Sequence, residues 1–152
     1  MAKPGKPNFT KSELEQLKIL TNPVYWAEAT LKDPKFPSKS LSIREYQKVM
    51  LLAKSNRKVS RCGRRIGKTL TMCIHILWYA FTHQNSKQVI ATPYDSQVQL
   101  IFDMLKEFIR STPELEQSVS SMVKSPHNEI KIKNGSTIKG FTAGTRSGSA
   151  GG

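Results

Sequence analysis

The sequence predicts an α/β fold in which a parallel sheet is bridged by crossover helices. Three observations carry that expectation. Two short β-prone runs, VSRC at 59–62 and KQVIAT at 87–92, are separated by the long apolar run TLTMCIHILWYAFTH. A second segment follows in which Val98, Ile101, Phe102, Leu105, Phe108 and Ile109 recur three and four residues apart, the period of a helix with one buried face. Strand, helix, strand, helix is the order of a parallel sheet, because parallel neighbours need a long crossover and that crossover is usually helical.

Taken in order, residues 1–10 are short of apolar groups and rich in Lys, Pro and Gly, the composition of a disordered lead-in. Ser12 with Glu15 fits a capping box for a short helix through Leu14, Leu17, Ile19 and Leu20, which Asn22-Pro23 stops. A second short helix is expected over Pro23 to Leu31, and KDPKFPSKS, with two prolines, is a loop. Ser42 with Glu45 marks the start of a helix whose stripe is Ile43, Tyr46, Val49, Met50 and Ala53. VSRC is expected to be the first strand, and the helix after the glycine-bearing turn is apolar all round, so buried. Beyond Pro113, ELEQSVSSMVKSPHN is weakly patterned. EIKIK and STIKGF alternate apolar and polar residues around Asn134-Gly135, a hairpin with a two-residue turn. The Gly/Ser-rich tail from Thr142 is expected to be mobile, and no internal repeat is present.

Composition narrows the function. The 152 residues have room for one domain, and no apolar run reaches the roughly 18–20 residues of a membrane helix. Two cysteines, Cys62 and Cys73, lack metal-type spacing and read as reduced thiols, which with the absence of a secretory signal points to the cytoplasm. The net charge is +13, and it is concentrated: residues 1–68 hold 16 basic and 5 acidic side chains, whereas 69–152 hold 8 and 6. Six basic residues and no acid lie from Arg57 to Lys68, a surface that attracts polyphosphates such as nucleotides and nucleic acids.

The chemistry centres on CGRRIGKT at 62–69. A phosphate-binding P-loop reads G-x-x-x-x-G-K-[ST]: backbone N–H groups curl round the phosphates, the following helix presents its positive end, the lysine neutralises charge and the hydroxyl holds Mg²⁺. Here Cys62, Gly63, Arg64, Arg65, Ile66 and Gly67 form the curl, Lys68 is the ammonium and Thr69 the hydroxyl. Cys62 replaces the first glycine. A small residue is tolerated there if its backbone angles permit, and Gly63 is expected to take up part of the lost flexibility. Arg64 or Arg65 can stabilise charge on a transferred γ-phosphoryl group in cis.

The paired arginine in CGRRIGKT resembles the deviant phosphate loop of the large subunit of tailed-bacteriophage DNA-packaging terminases. REYQ at 44–47 resembles the adenine-recognising glutamine motif of terminases and helicases, VIATPYDSQVQLIFDMLKEFI resembles the strand and helix after the phosphate loop, and FTAGTRSGSA resembles the stretch leading to the family's acidic metal-binding strand. The likeness spans about residues 22–150. It implies a P-loop NTPase of the terminase and helicase type, with a parallel sheet and flanking helices. Residues 1–21 are then a lead-in and short helix, and 22–152 a partial ATPase domain. By resemblance, Lys68 and Thr69 are phosphate and Mg²⁺ ligands, Arg64 senses the γ-phosphate, Gln47 contacts adenine, and Arg146 acts on a neighbouring subunit's nucleotide. The implied activity is ATP hydrolysis that moves double-stranded DNA into a prohead in the host cytoplasm. The implied partners are a terminase small subunit, a portal and further copies in a ring, with no membrane. No apolar run ending in Asp-Glu is present, and nothing matches a nuclease domain, so weak ATP binding with poor hydrolysis is expected of this chain alone. A helicase-like nucleic-acid-dependent ATPase and a non-catalytic basic nucleic-acid-binding module are the alternatives.

Overall fold

The computed structural model describes residues 10–33, 36, 38–55, 57–124 and 127–143. Two short helices open the chain, α1 (Lys11–Thr21) and α2 (Pro23–Thr30). Thr10 caps α1: its hydroxyl accepts from Glu13 N–H, and Glu13 accepts from Thr10 N–H at 2.7 Å. The Ser12–Glu15 pair has the same spacing two residues later, and composition alone does not separate them. Asn22 closes α1 and caps α2 by accepting from Val24 N–H at 2.9 Å, with Pro23 at the position where a missing N–H costs nothing. Buried Val24, Trp26 and Ala27 anchor α2, whereas α1 has no buried residue and is tied down by Trp78 Nε1 donating to Leu20 O at 2.8 Å.

The third helix, α3 (Glu45–Leu52), starts later than Ser42 predicts, because Arg44 is its cap and Gln47 accepts from Arg44 N–H. Its buried pair is Gln47 and Leu51, one position round from the expected stripe, so Val49 is 71% exposed. Helix α4 (Lys68–Thr82) buries Thr71, Cys73, Ile74, Leu77 and Ala80 but leaves Met72 and Tyr79 exposed, so it is not covered all round. Helix α5 (Asp95–Ser111) buries all six residues of its expected stripe.

The sheet departs from the expected one. Strands β1 (Lys87–Thr92), β2 (Val119–Val123), β3 (Asn128–Ile132) and β4 (Thr137–Thr142) lie in the order β1-β4-β3-β2. The pair β1–β4 is parallel, and β4–β3 and β3–β2 are antiparallel, so the sheet is mixed rather than parallel. The parallel partner of KQVIAT is therefore the second arm of the hairpin, not VSRC. Residues 59–62 form no strand, and Val59 is fully exposed. Strand-forming composition needs a ladder partner, and among the described residues β1 pairs along one edge only, with β4.

Burial alternates along β1, β3 and β4: Ile90, Ile130, Ile132 and Ile138 face the core while Val89, Lys131 and Lys139 face outward. One face of the sheet is thus covered, by packing that includes Phe102, Leu105 and Phe108 of α5, the pattern of a half-buried sheet. The weakly patterned stretch after Pro113 holds α6 (Pro113–Ser118) and edge strand β2. The hairpin turn is longer than expected. Gly135 N–H donates to Ile132 O and Ile132 N–H to Ser136 O, with Gly135 left-handed at φ +86, a three-residue loop with a bulge. That turn grips the α4–β1 connection, since Asn134 Nδ2 donates to Ala80 O at 2.8 Å and Ser136 Oγ to His83 O at 2.7 Å. These bonds fix the C-terminal end of α4 against the sheet.

Candidate phosphate-binding site

The segment 61–67 turns and delivers Lys68 to the first position of α4. Two residues in it are left-handed: Arg65 at φ 59 and Gly67 at φ 87. Gly67 is required twice over, by that angle and because a Cβ there would lie 2.7 Å from Gln47 Nε2. Cys62 and Gly63 are not left-handed, and a Cβ on Gly63 would meet only Ile66 Cγ2 at 3.8 Å. The expectation that Gly63 compensates for Cys62 is thus corrected: the entrance makes no demand that only glycine meets, and the demand falls on Arg65 instead.

The loop is held from both sides. Lys68 Nζ folds back and donates to Cys62 O at 3.1 Å, closing the curl on itself. From α3, Tyr46 Oη donates to Ile66 O at 2.6 Å and Gln47 Nε2 to Gly67 O at 3.4 Å. Thr71 N–H and Oγ1 both donate to Gly67 O at 3.0 Å, the first bonds of α4. Among the described residues no side chain caps the N-terminus of α4, which leaves its first-turn donors and the positive end of its dipole for an anion. Lys68 and Thr69 are half-buried, and Arg61, Arg64 and Arg65 are exposed around them.

Beside the loop runs a groove of about 1200 Å³, lined among others by Lys58, Lys68, Thr69, His75, Tyr79 and Val89. It is floored by α4 and bounded by β1. Burial, then the nearby Lys58 and His83, lowers the His75 pKa and favours its neutral form, so the groove's positive charge comes from its lysines. Both cysteines are free: burial pushes the Cys73 thiol up to about 12, making it a packing group, while Cys62 is half-buried in the loop.

The predicted residues from Cys62 to Thr69 are contiguous at this helix mouth, and Gln47 joins them across the fold. Gln47 is 3% exposed, with both ends of its amide engaged within the protein. Arg146 lies outside the described residues. Sequence reasoning missed the phenol of Tyr46 as a loop contact; its signal was adjacency to Gln47 in REYQ. Of the aromatics on α2, Trp26 is buried in the core and Tyr25 is exposed. Among the described residues no three His, Cys, Asp or Glu side chains converge as a metal site, and no helix is long and apolar enough to cross a membrane.

No known protein-family profile and no curated protein sequence matches the chain. Among solved structures its fold is similar to that of the HK97 bacteriophage large terminase, with a TM-score of 0.71 at 16% identity over 82% of this chain and 27% of that one. It is also similar to the large terminase ATPase domain of Thermus phage P74-26, with a TM-score of 0.55 at 17% identity over 66% of this chain and 46% of that domain. The chain therefore has a mixed α/β fold in common with phage large terminases, and it spans about a quarter of the first of these chains and under half of the second.

Proposed function

We propose that this chain is the nucleotide-binding part of a phage DNA-packaging motor of the terminase large-subunit kind, which uses ATP to drive double-stranded DNA into a prohead. The observation that carries the reading is the uncapped start of α4: a curl of six residues, ending in a left-handed glycine, and a lysine at the helix mouth, on a fold in common with phage large terminases. The residues fit ATP. Lys68 neutralises phosphate charge, and exchanging its bond to Cys62 O for a phosphate oxygen keeps the ammonium satisfied. The free N–H groups of the first turn of α4 supply directed donors. Arg64 lies exposed where it can offset charge growing on a transferred phosphoryl group.

Mg²⁺, which phosphoryl transfer uses to screen phosphate charge, would be held through the Thr69 hydroxyl and the phosphates themselves, as this ion commonly binds with few protein ligands. Basic residues from Arg57 to Arg65 suit a phosphate backbone gripped without reading sequence. A terminase small subunit, a portal, further copies in a ring, Arg146 acting on a neighbouring copy, and the host cytoplasm belong to the same reading. An ATP titration of the wild type and Lys68→Ala, with and without double-stranded DNA, tests it. Removing a charge-assisted contact of about 1.5–3 kcal/mol weakens binding roughly ten- to hundredfold. Equal ATP affinity in the two proteins refutes the site. Binding without turnover in either condition favours a non-catalytic module.

A further inference from the structure

Two neighbouring side chains of α3 hold two neighbouring carbonyls of the loop. Tyr46 takes Ile66 O and Gln47 takes Gly67 O, across 20 residues of sequence in each case. The peptide unit is planar and trans, so fixing a carbonyl in one direction points the next residue's N–H in the opposite one. Drawing the Ile66 carbonyl towards α3 therefore turns the Gly67 N–H away from α3. Gly67 O already accepts from Thr71 as part of α4, so its peptide is set by the helix. Among the contacts described, the Ile66–Gly67 peptide is held by the phenol, through a short 2.6 Å bond. Arg44 Nη1 donates to the same phenol oxygen at 3.3 Å, which polarises the O–H towards its acceptor. Gln47 packs under Gly67 at a distance no side chain there could occupy.

We infer that Tyr46 is a positioning residue for phosphate binding: it orients the Ile66–Gly67 peptide so that the Gly67 N–H faces the anion, with Gln47 as the floor that keeps Gly67 in place. The inference rests on the nucleotide site proposed above and deepens it, because it assigns the REYQ segment an action on the phosphates rather than on the base. The two roles separate by ligand. Tripolyphosphate has phosphates and no base, so an adenine contact cannot affect it, whereas loop orientation must.

The experiment is calorimetric titration of tripolyphosphate, ATP and GTP into the wild type, Lys68→Ala and Tyr46→Phe. Phenylalanine keeps the ring, and Tyr46 is 39% exposed, so the thermal midpoint should stay close to wild type. The expected result is a three- to tenfold loss of tripolyphosphate and ATP affinity by the same factor in Tyr46→Phe, with the ATP-to-GTP ratio unchanged. Tripolyphosphate affinity equal to wild type in Tyr46→Phe overturns the inference, and a changed ATP-to-GTP ratio beside it assigns Tyr46 to the base. Should Lys68→Ala bind all three ligands as the wild type does, the nucleotide site falls first and this inference with it. Loss in Lys68→Ala with none in Tyr46→Phe removes this inference alone.

Discussion

Replacing Gly67 and Gly63 separately by alanine sets the loop's two glycines against each other. At φ 87 an alanine at position 67 meets the left-handed penalty of about 1–2 kcal/mol. Its Cβ would stand 2.7 Å from Gln47 Nε2, and Gln47 cannot swing aside freely, because it is buried and its other end accepts from Arg44 N–H. Displacing it forfeits a hydrogen bond of about 0.5–1.5 kcal/mol. Alanine recovers about 0.4–1 kcal/mol by restricting the unfolded chain. The balance is a loss of about 2 kcal/mol, or roughly 4–8 °C in thermal midpoint for a domain of this size. Gly63→Ala meets no atom closer than 3.8 Å and no left-handed angle, so the same unfolded-chain gain is unopposed and its stability is expected between that of wild type and about 1 kcal/mol above it. Urea unfolding of the three proteins, followed by circular dichroism, measures both. Equal losses at the two positions, or a Gly67→Ala protein as stable as wild type, would refute the loop conformation.

Trp78→Phe removes the bond from Nε1 to Leu20 O that ties α1 to α4. Because α1 has no fully buried residue and only Ile19 packs partly against the core, its amides should exchange with solvent several-fold faster while those of α5 are unchanged, as hydrogen-exchange mass spectrometry would report. Glu129, bonded to Lys139 at 3.1 Å and 3.5 Å from Lys131, has its pKa lowered first by the Lys139 contact. A lowered carboxylate stabilises the fold above its unfolded-state pKa and loses that contribution as the pH falls through the folded-state value. The thermal midpoint should therefore drop more steeply on acidification in the wild type than in Glu129→Gln.

What the sequence disclosed and what it hid divide along physical lines. The stripe of α5 was legible because six apolar residues at helical spacing admit one buried face, and all six are buried. The hairpin was legible from alternation, although its turn proved one residue longer, since Asn-Gly serves both a two-residue turn and the end of a bulged one. Pairing across the sheet was not legible. VSRC and KQVIAT have equal claims as strands by composition, and only the arrival of β4 at the edge of β1 decides which one forms a ladder. The register of α3 was not legible because an apolar stripe excludes a glutamine, whereas burial of Gln47 is compensated by two hydrogen bonds. At the candidate site the contiguous motif could be read directly. The grip on it from α3 spans 20 residues and could not.

The substitution of Cys62 for glycine at the loop entrance draws the eye to the wrong place. Left-handed angles occur at Arg65 and Gly67, so a glycine is missed at position 65, where the chain keeps a guanidinium at a cost of about 1–2 kcal/mol. Two substitutions separate the charge from the strain. Arg65→Gly relieves about 1–2 kcal/mol of strain but frees the unfolded chain by about 0.5–1 kcal/mol, so a net gain of about 0.5–1 kcal/mol remains. Arg65→Ala retains the strain and should be about 1 kcal/mol less stable than Arg65→Gly in chemical denaturation. If the retained guanidinium serves the phosphates, both proteins lose tripolyphosphate affinity alike, since neither has the charge and their stabilities differ only through the backbone. An alanine protein more stable than its glycine counterpart would show that residue 65 is not left-handed in solution. Unchanged tripolyphosphate affinity in both would leave the strain at Arg65 without a compensating function.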